Sequence, residues 1–519
     1  MTLLDYVLLL PLAAFLISLV LPNDNPATQR RFTLGASIVV FLASLTLIGP
    51  FWFASPRGWV FETNLPWISS PVIRYHVALD GLSLWLVLLT TLLTPIAVLC
   101  SWKYIDSRVK QFHAFLLLLE FGLIGVFVSL DLFLFYAFWE ICLVPMYFLI
   151  GVWGHERRIY AAVKFFLYTM AGSVLMLAAI IFIYNRAGTF DYTQILANLS
   201  SGALRFTRVE EFWLFLAFFF AFAIKVPLFP LHTWLPDAHV EAPTAGSIML
   251  ASVMLKMGTY GLLRYCVVLF PRAARENAGW IAVLAIVGIV YGALVAMVQP
   301  NMKKLVAYSS VSHLGFVVLG IFSFTQAGFD GAVYQMLNHG ISTGALFLLV
   351  GFLYERTHSL DISAYGGVAT PAPKLATVFM ITMLASIGLP TLNNFIGEYL
   401  VLQGVATVNM QWTSFAALGV ILSACYMLWL YQRVFLGKTH EHASHPMFDL
   451  SPREWAAALP LLVMMVWMGI FSQSFLPPVS SVNAQILARS RTSLEMQVQR
   501  RETGPRLIIA SLENLFRAR

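Results

Sequence analysis

Seven ionisable residues sit inside apolar runs where a membrane helix would ordinarily carry leucine: Glu140, Lys225, His232, Lys256, His313, His339 and Glu398. Such side chains take up and release protons. A charge at mid-bilayer costs about 3 kcal/mol on insertion scales, so it usually faces an internal path or a partner. Glu140 is the only charge in L-F-L-F-Y-A-F-W-E-I-C-L-V-P-M-Y-F-L-I, and Lys225 follows thirteen apolar residues, F-W-L-F-L-A-F-F-F-A-F-A-I. Pro227 and Pro230 come directly after that lysine. A proline within a helix removes a donor and frees the carbonyl four residues back, here those of Ala223 and Val226. Inside a membrane those groups must meet other protein or water in a cavity. Burial disfavours the charged form of each group and an opposite charge restores it. Glu140 therefore reads as a partner that switches Lys225 between its protonation states. A static salt bridge, or a lysine snorkelling to the interface, is the plainer alternative.

His232 lies seven residues past Lys225, two turns on along the same face if the helix resumes after the break. Histidine titrates near neutrality and suits a relay, although a lone one is often a satisfied core residue. Lys256, in S-V-M-L-K-M-G-T-Y-G, supplies a second buried amine. Two charged lysines there would repel, and sharing a proton through water relieves this. His313 and His339 stand among Ser309, Ser310, Ser312, Asn338, Ser342 and Thr343, whose side chains can hold water. As a metal pair they lack a nearby acidic or cysteine ligand. Glu398 comes just after a second interruption, S-I-G-L-P-T-L-N-N-F-I-G-E, which breaks at Gly388 to Asn394 around Pro390. Asp237, His239 and Glu241 read as a solvated rim, and His440, His442 and His445 as a solvated loop.

Long helices must carry these groups. The chain has 519 residues, 59% hydrophobic and only 11% charged, against about 25% charged in soluble domains. It reads as an all-α polytopic membrane protein. Charge clusters and turn residues divide it into about fourteen spans: 3–21, 32–54, 79–102, 111–130, 132–152, 159–184, 212–238, 242–268, 279–298, 304–323, 330–354, 374–406, 411–436 and 455–474. The seventh is broken at Pro227 and Pro230, the twelfth at Pro390. Paired broken segments point to an internal repeat with a site in each half. The polar segment 57–78 reads as a surface hairpin.

Composition also excludes. The four cysteines stand singly, without C-x-x-C or ferredoxin spacing, and no dinucleotide or Walker loop appears. No redox cofactor, nucleotide or metal is expected in this chain. Net charge is +7, and from Leu487 onward seven arginines face three glutamates, which suits a membrane surface better than nucleic acid. The N-terminus M-T-L-L-D-Y lacks a positive leader and reads as the first membrane helix. Arg30, Arg31, Arg108, Lys110, Arg157, Arg158, Lys303 and Lys304 place the loops after spans one, three, five and nine in the cytoplasm, with both termini on the periplasmic side of a bacterial inner membrane.

L-D-L-F-L-F-Y-A-F-W-E-I-C-L-V-P-M-Y-F-L-I, H-T-W-L-P-D-A-H-V-E-A-P-T and A-Y-S-S-V-S-H-L-G resemble the antiporter-like proton-translocating membrane subunits of respiratory complex I (NADH:quinone oxidoreductase), relatives of Mrp antiporter subunits. Glu398, where other branches usually carry lysine, and an end soon after span fourteen without a long lateral helix fit the M-type branch, chain 4. The resemblance implies two inverted five-helix repeats, 111–270 and 279–436. They follow an N-terminal unit 1–110 and precede helix 455–474 and an Arg-rich tail 475–519. It implies a Glu140–Lys225 pair and a proton path through Lys256, His313 and His339 to Glu398. Implied too are L-type and N-type chains and smaller membrane chains as partners, and quinone reduction in other subunits. A sodium/proton antiporter or membrane-bound hydrogenase subunit, and a non-pumping structural subunit, are the alternatives.

Overall fold

Aspartate and asparagine caps mark where many of the long helices begin. Asp80 Oδ1 accepts from the amides of Leu82 and Ser83, Asp131 Oδ1 from Phe133 and Leu134, and Asn301 Oδ1 from Lys304, satisfying donors that the first turn leaves open. The computed structural model describes residues 1–22, 25–53, 58–437 and 447–491. Twelve of its helices are long and apolar enough to cross a membrane. They are α1 (Leu3–Val20), α2 (Pro26–Trp52), α3 (Gly81–Ser101), α4 (Val109–Val128), α5 (Leu132–Trp153), α6 (Arg158–Ala187), α10 (Thr244–Leu269), α11 (Ala278–Met297), α12 (Met302–Ile321), α13 (Gln326–Thr357), α16 (Met410–Phe435) and α17 (Pro452–Ile470). A short surface helix, α7 (Tyr192–Ser201), follows α6.

Two further segments are interrupted: α8 (Arg208–Lys225) with α9 (Trp234–Glu241), and α14 (Pro373–Ser386) with α15 (Asn393–Ala406). Each span expected from the sequence overlaps one of these helices or one broken pair. The second break differs in detail. It covers residues 387–392, so Asn393 and Asn394 open the resumed helix. Asn394 donates to the Ser386 carbonyl, 3.2 Å away, and so caps the half-helix that the break exposes.

Helices α10 and α13 are buried throughout their apolar windows, and α3 and α12 nearly so. Around them α1, α2, α6, α16 and α17 expose Leu16, Val39, Leu167, Ile421 and Val463. That ring of outward apolar faces is what a bilayer covers. The chain is an integral, multi-pass membrane protein.

Between α2 and α3, β1 (Val60–Ile68) and β2 (Ile73–Leu79) form an antiparallel hairpin. Its β1 residues are mostly exposed, while β2 ends buried against the bundle. His76 fastens it, with Nδ1 2.8 Å from Asp191 Oδ2 and Nε2 2.9 Å from Glu62 Oε1.

One backbone clip occurs twice. Leu132 N donates to Phe190 O (2.9 Å) and Tyr192 N to Leu130 O (2.8 Å); Met302 N donates to Leu360 O (2.9 Å) and Ile362 N to Pro300 O (2.8 Å). Every residue of the second clip stands 170 positions after its counterpart (132 to 302, 190 to 360). The first joins the start of α5 to the turn after α6, and the second joins the start of α12 to the turn after α13.

The first part of the tail is helical, residues 476–491, and docks on α13. Ser480 Oγ and Asn483 Nδ2 each donate to Asp330 at 2.8 Å. The remaining arginines, from 492 onward, and His440, His442 and His445 lie outside the described residues.

Candidate proton-transfer site

The first break ends α8 at Lys225, and the chain runs irregularly to Thr233. Two carbonyls at the break meet other protein, one of the two outcomes the prolines allow. Ala223 O accepts from Leu228 N (2.8 Å), and Ile224 O accepts from the Trp234 indole (2.9 Å). Lys225 is 1% exposed, yet among the described residues its Nζ has no hydrogen-bond partner. The ammonium lies 5.2 Å from the ring centre of Trp139 and 5.4 Å from that of Phe165, a setting worth up to about 2 kcal/mol when desolvated. Glu140, the neighbour of Trp139 on α5, has Oε1 buried and unpartnered. The Glu140–Lys225 pair that the resemblance implies is therefore not a hydrogen-bonded contact. An indole and a phenyl ring face the lysine, and the carboxylate stands apart on the next residue.

Lys256 is held quite differently. In α10, residues 250–254 are π-helical, a local widening that often marks functional sites. Lys256 Nζ donates to the carbonyl of Ala251, five residues back, at 2.5 Å, and lies 2.6 Å from His339 Nδ1. The His339 ring is 6.0 Å from that of His313. His313 Nδ1 is 2.9 Å from Glu398 Oε1, which also accepts from Gln335 Nε2 at 3.1 Å. Asn338 Nδ2 donates in turn to Gln335 Oε1 (3.2 Å). All four ionisable groups are buried, with Glu398 the most exposed at 4%. His339 Nε2 and His313 Nε2 have no partner, so each ring keeps one nitrogen free to take or give a proton. Gly388 in the second break has φ +77°, and a Cβ there would lie 3.3 Å from Glu398 Oε2. Glycine keeps that turn and leaves the carboxylate room.

His232 is 3% exposed but lies inside the break, not on the resumed helix. It stacks on Phe229, with ring centres 5.7 Å apart, and packs beside Tyr291 and Tyr308. The same-face relation to Lys225 fails because the chain between them is not helical. His239, expected on a solvated rim, is wholly buried, stacked on Phe347 at 4.4 Å with both ring nitrogens unpartnered. Asp237 does sit at a surface, 2.6 Å from Lys164. Glu241 is mostly buried and accepts from the Arg157 amide (2.9 Å).

Other buried charges escaped the sequence reading. Glu120 and His113 on α4 are fully buried, and Arg264 forms a 2.5 Å ion pair with Asp80. Glu120, alone in F-L-L-L-L-E-F-G, gives the same signal as Glu140: one charge in an apolar run. No three His, Cys, Asp or Glu side chains among the described residues group as metal ligands would.

Residues 129–424 match the family model described as NADH:quinone oxidoreductase/Mrp antiporter, TM. The chain is 45% identical over 480 residues to NADH-quinone oxidoreductase subunit M of Rhodobacter capsulatus, covering 90% of this chain and 93% of the relative. It is 41% identical over 473 residues to NADH-ubiquinone oxidoreductase chain 4 of Marchantia polymorpha, covering 90% and 94%. Among solved structures, a chain of respiratory complex I from Thermus thermophilus with bound NADH superposes with a TM-score of 0.84 at 34% identity, over 93% of this chain and 99% of that one. A chain of the Mrp complex from a Dietzia species shares the fold, with a TM-score of 0.81 at 21% identity over 95% and 100%.

Proposed function

Since the chain belongs to the NADH:quinone oxidoreductase/Mrp antiporter membrane family, in its subunit M (chain 4) branch, we propose that it is a proton-translocating subunit of a bacterial complex I. In this reading NADH oxidation and quinone reduction take place in other subunits, and this chain moves protons. The observation that carries the proposal is the buried line Lys256–His339–His313–Glu398, in which each group lies within hydrogen-bond or ring contact of the next. A proton leaving the ammonium of Lys256 passes to His339 Nδ1, and His339 Nε2 releases one toward His313. His313 delivers it to the carboxylate of Glu398 beside the second break. The two lone nitrogens of the histidines need a water or a ring rotation to meet.

Glu140, Lys225 and His232 form the upstream half. A change of field moves the Lys225 ammonium between the faces of Trp139 and Phe165 and the carboxylate of Glu140. The energies match: one charge moved against 100 mV costs about 2.3 kcal/mol, and two unit charges about 4 Å apart are worth about 4 kcal/mol at an effective dielectric of 20. The twice-occurring backbone clip supports dividing the chain into two repeats, 111–270 and 279–436. We place L-type and N-type chains against the outward apolar faces, and both termini on the periplasmic side of the inner membrane.

Proton uptake per NADH oxidised, measured in inverted vesicles for parent and Lys225→Ala, tests the reading once assembly is checked on native gels. Collapse of both proton uptake and quinone-linked NADH oxidation is expected. Parent-level rates in an assembled variant would leave a scaffold subunit.

A further inference from the structure

Helix α4 buries two ionisable groups that the line above does not use. Glu120 is 0% exposed, and neither carboxyl oxygen has a hydrogen-bond partner among the described residues. His113 is likewise fully buried with both ring nitrogens unpartnered. They stand seven residues apart, two turns along one face, about 10.5 Å of rise.

Their surroundings are polar in a particular way. Thr94 of α3 is the side-chain hydroxyl that acts on the Glu120 carboxyl. The Thr94 hydroxyl proton already goes to the Thr90 carbonyl (3.0 Å), and the Thr90 hydroxyl proton to the Leu86 carbonyl (2.7 Å). Thr94 can therefore accept from Glu120 but has nothing to donate. A carboxylate needs donors, and leaving an ionised one buried without them costs several kcal/mol. A carboxylic acid needs one acceptor, and Thr94 Oγ1 has a lone pair left to be one. At the other end, His113 feels the charge of Arg30 of α2, whose guanidinium donates to Ile105 O (2.7 Å) and is part-exposed. Gln29 Oε1 and Thr33 Oγ1, on the same helix as Arg30, are also buried without partners among the described residues. Unpaired polar atoms in such number mark where water sits.

We propose that Glu120 is a second proton-holding site, filled from the aqueous face at Arg30 through His113 and separate from the Lys256–Glu398 line. The proton arrives by water, the Glu120 carboxylate takes it, and the resulting O–H donates to Thr94 Oγ1. Discharge reverses the step. The proposal rests on the proton-translocating reading, so parent vesicles must acidify before Glu120 is judged. If they do not, that reading fails and not this one.

The test is infrared difference spectroscopy of the assembled complex with and without NADH turnover, with proton uptake in vesicles alongside. A carboxylic-acid C=O difference band is expected in the parent and should be lost in Glu120→Gln, together with a lowered proton-to-NADH ratio. Glu120→Asp should shift the band and retain pumping. Thr94→Val, which removes the acceptor and no charge, should shift the band of the intact glutamate. If Glu120→Gln does not assemble, the Asp and Val variants decide. Bands identical to the parent in every assembled variant, with an unchanged ratio, would overturn the proposal and leave Glu120 a packing residue.

Discussion

Lys225 and Lys256 are both buried ammonium groups close to an interruption of regular helix, and the protein surrounds them in opposite ways. Lys225 has no hydrogen-bond partner and lies against the faces of Trp139 and Phe165. Lys256 donates to the Ala251 carbonyl and lies 2.6 Å from His339 Nδ1, and two further contacts lead on to Glu398. An ammonium against aromatic rings is held weakly and can exchange that setting for a carboxylate with a small change of field. An ammonium hydrogen-bonded to an imidazole has a route for its proton. In the proposed reading, the first region changes its charge environment and the second passes a proton along.

Three substitutions break or sharpen that contrast. Glu398→Ala should have the largest effect. It removes the acceptor of both His313 and Gln335, and leaving a buried donor unsatisfied costs about 1–3 kcal/mol. Proton uptake in vesicles should fall by tenfold or more, while Glu398→Asp should recover part of it. Equal uptake in Glu398→Ala and the parent would mean that the line carries no protons.

Trp139→Leu should come next. It takes one ring from Lys225 and leaves the hydrogen-bonded line intact, at about 1–2 kcal/mol. A several-fold loss of uptake with a displaced pH profile is expected, and Trp139→Phe should restore most of it. If Trp139→Leu proved as damaging as Glu398→Ala, the ring would be part of the path itself and the contrast would fail.

The smallest effect concerns the clips. Both halves carry the same backbone clip, and in the first His76 bonds Asp191, which lies between the two clip hydrogen bonds. Burial alone would push His76 down, but hydrogen bonds and charge from Asp191 and then Glu62 outweigh it, raising His76 above its usual value of 6.5. Asp191, despite burial, is held at about 2, chiefly by its hydrogen bond to His76. A group whose folded value is raised stabilises fully below its unfolded value, and loses that contribution as pH rises through the folded one. Protection of the hairpin amides from hydrogen exchange should therefore weaken above about pH 6.5 in the parent. His76→Gln should abolish that dependence, and amides at the Asn301–Asp361 clip should behave alike in variant and parent.

The membrane helices were legible because each is an apolar run long enough to span, and the breaks because proline cannot donate within a helix. Glu140, Lys225, Lys256 and Glu398 stood out for the same reason, as single charges in hydrocarbon-like sequence. Glu120 gave that signal too and was passed over because nothing beside it suggested a break. His232 misled, since counting along a helix assumes the helix continues, and residues 226–233 do not form one. His239 looked like a rim residue because Asp237 and Glu241 flank it, yet α9 turns it inward onto Phe347.

By itself, then, the sequence determined the class of protein, the helix count to within the two broken spans, and the titratable groups of the Lys256–Glu398 line. Hydrophobicity and proline chemistry are local properties and need no partner. Which groups meet was decided by tertiary structure alone. Lys256 and His339 are 83 residues apart, and His313 and Glu398 are 85 apart; only packing of α10, α12, α13 and α15 brings them within 3 Å. The same packing set aromatic rings, and not Glu140, against Lys225. No spacing in the chain encodes that choice, because it depends on how α5, α6 and α8 rotate to bury their faces together.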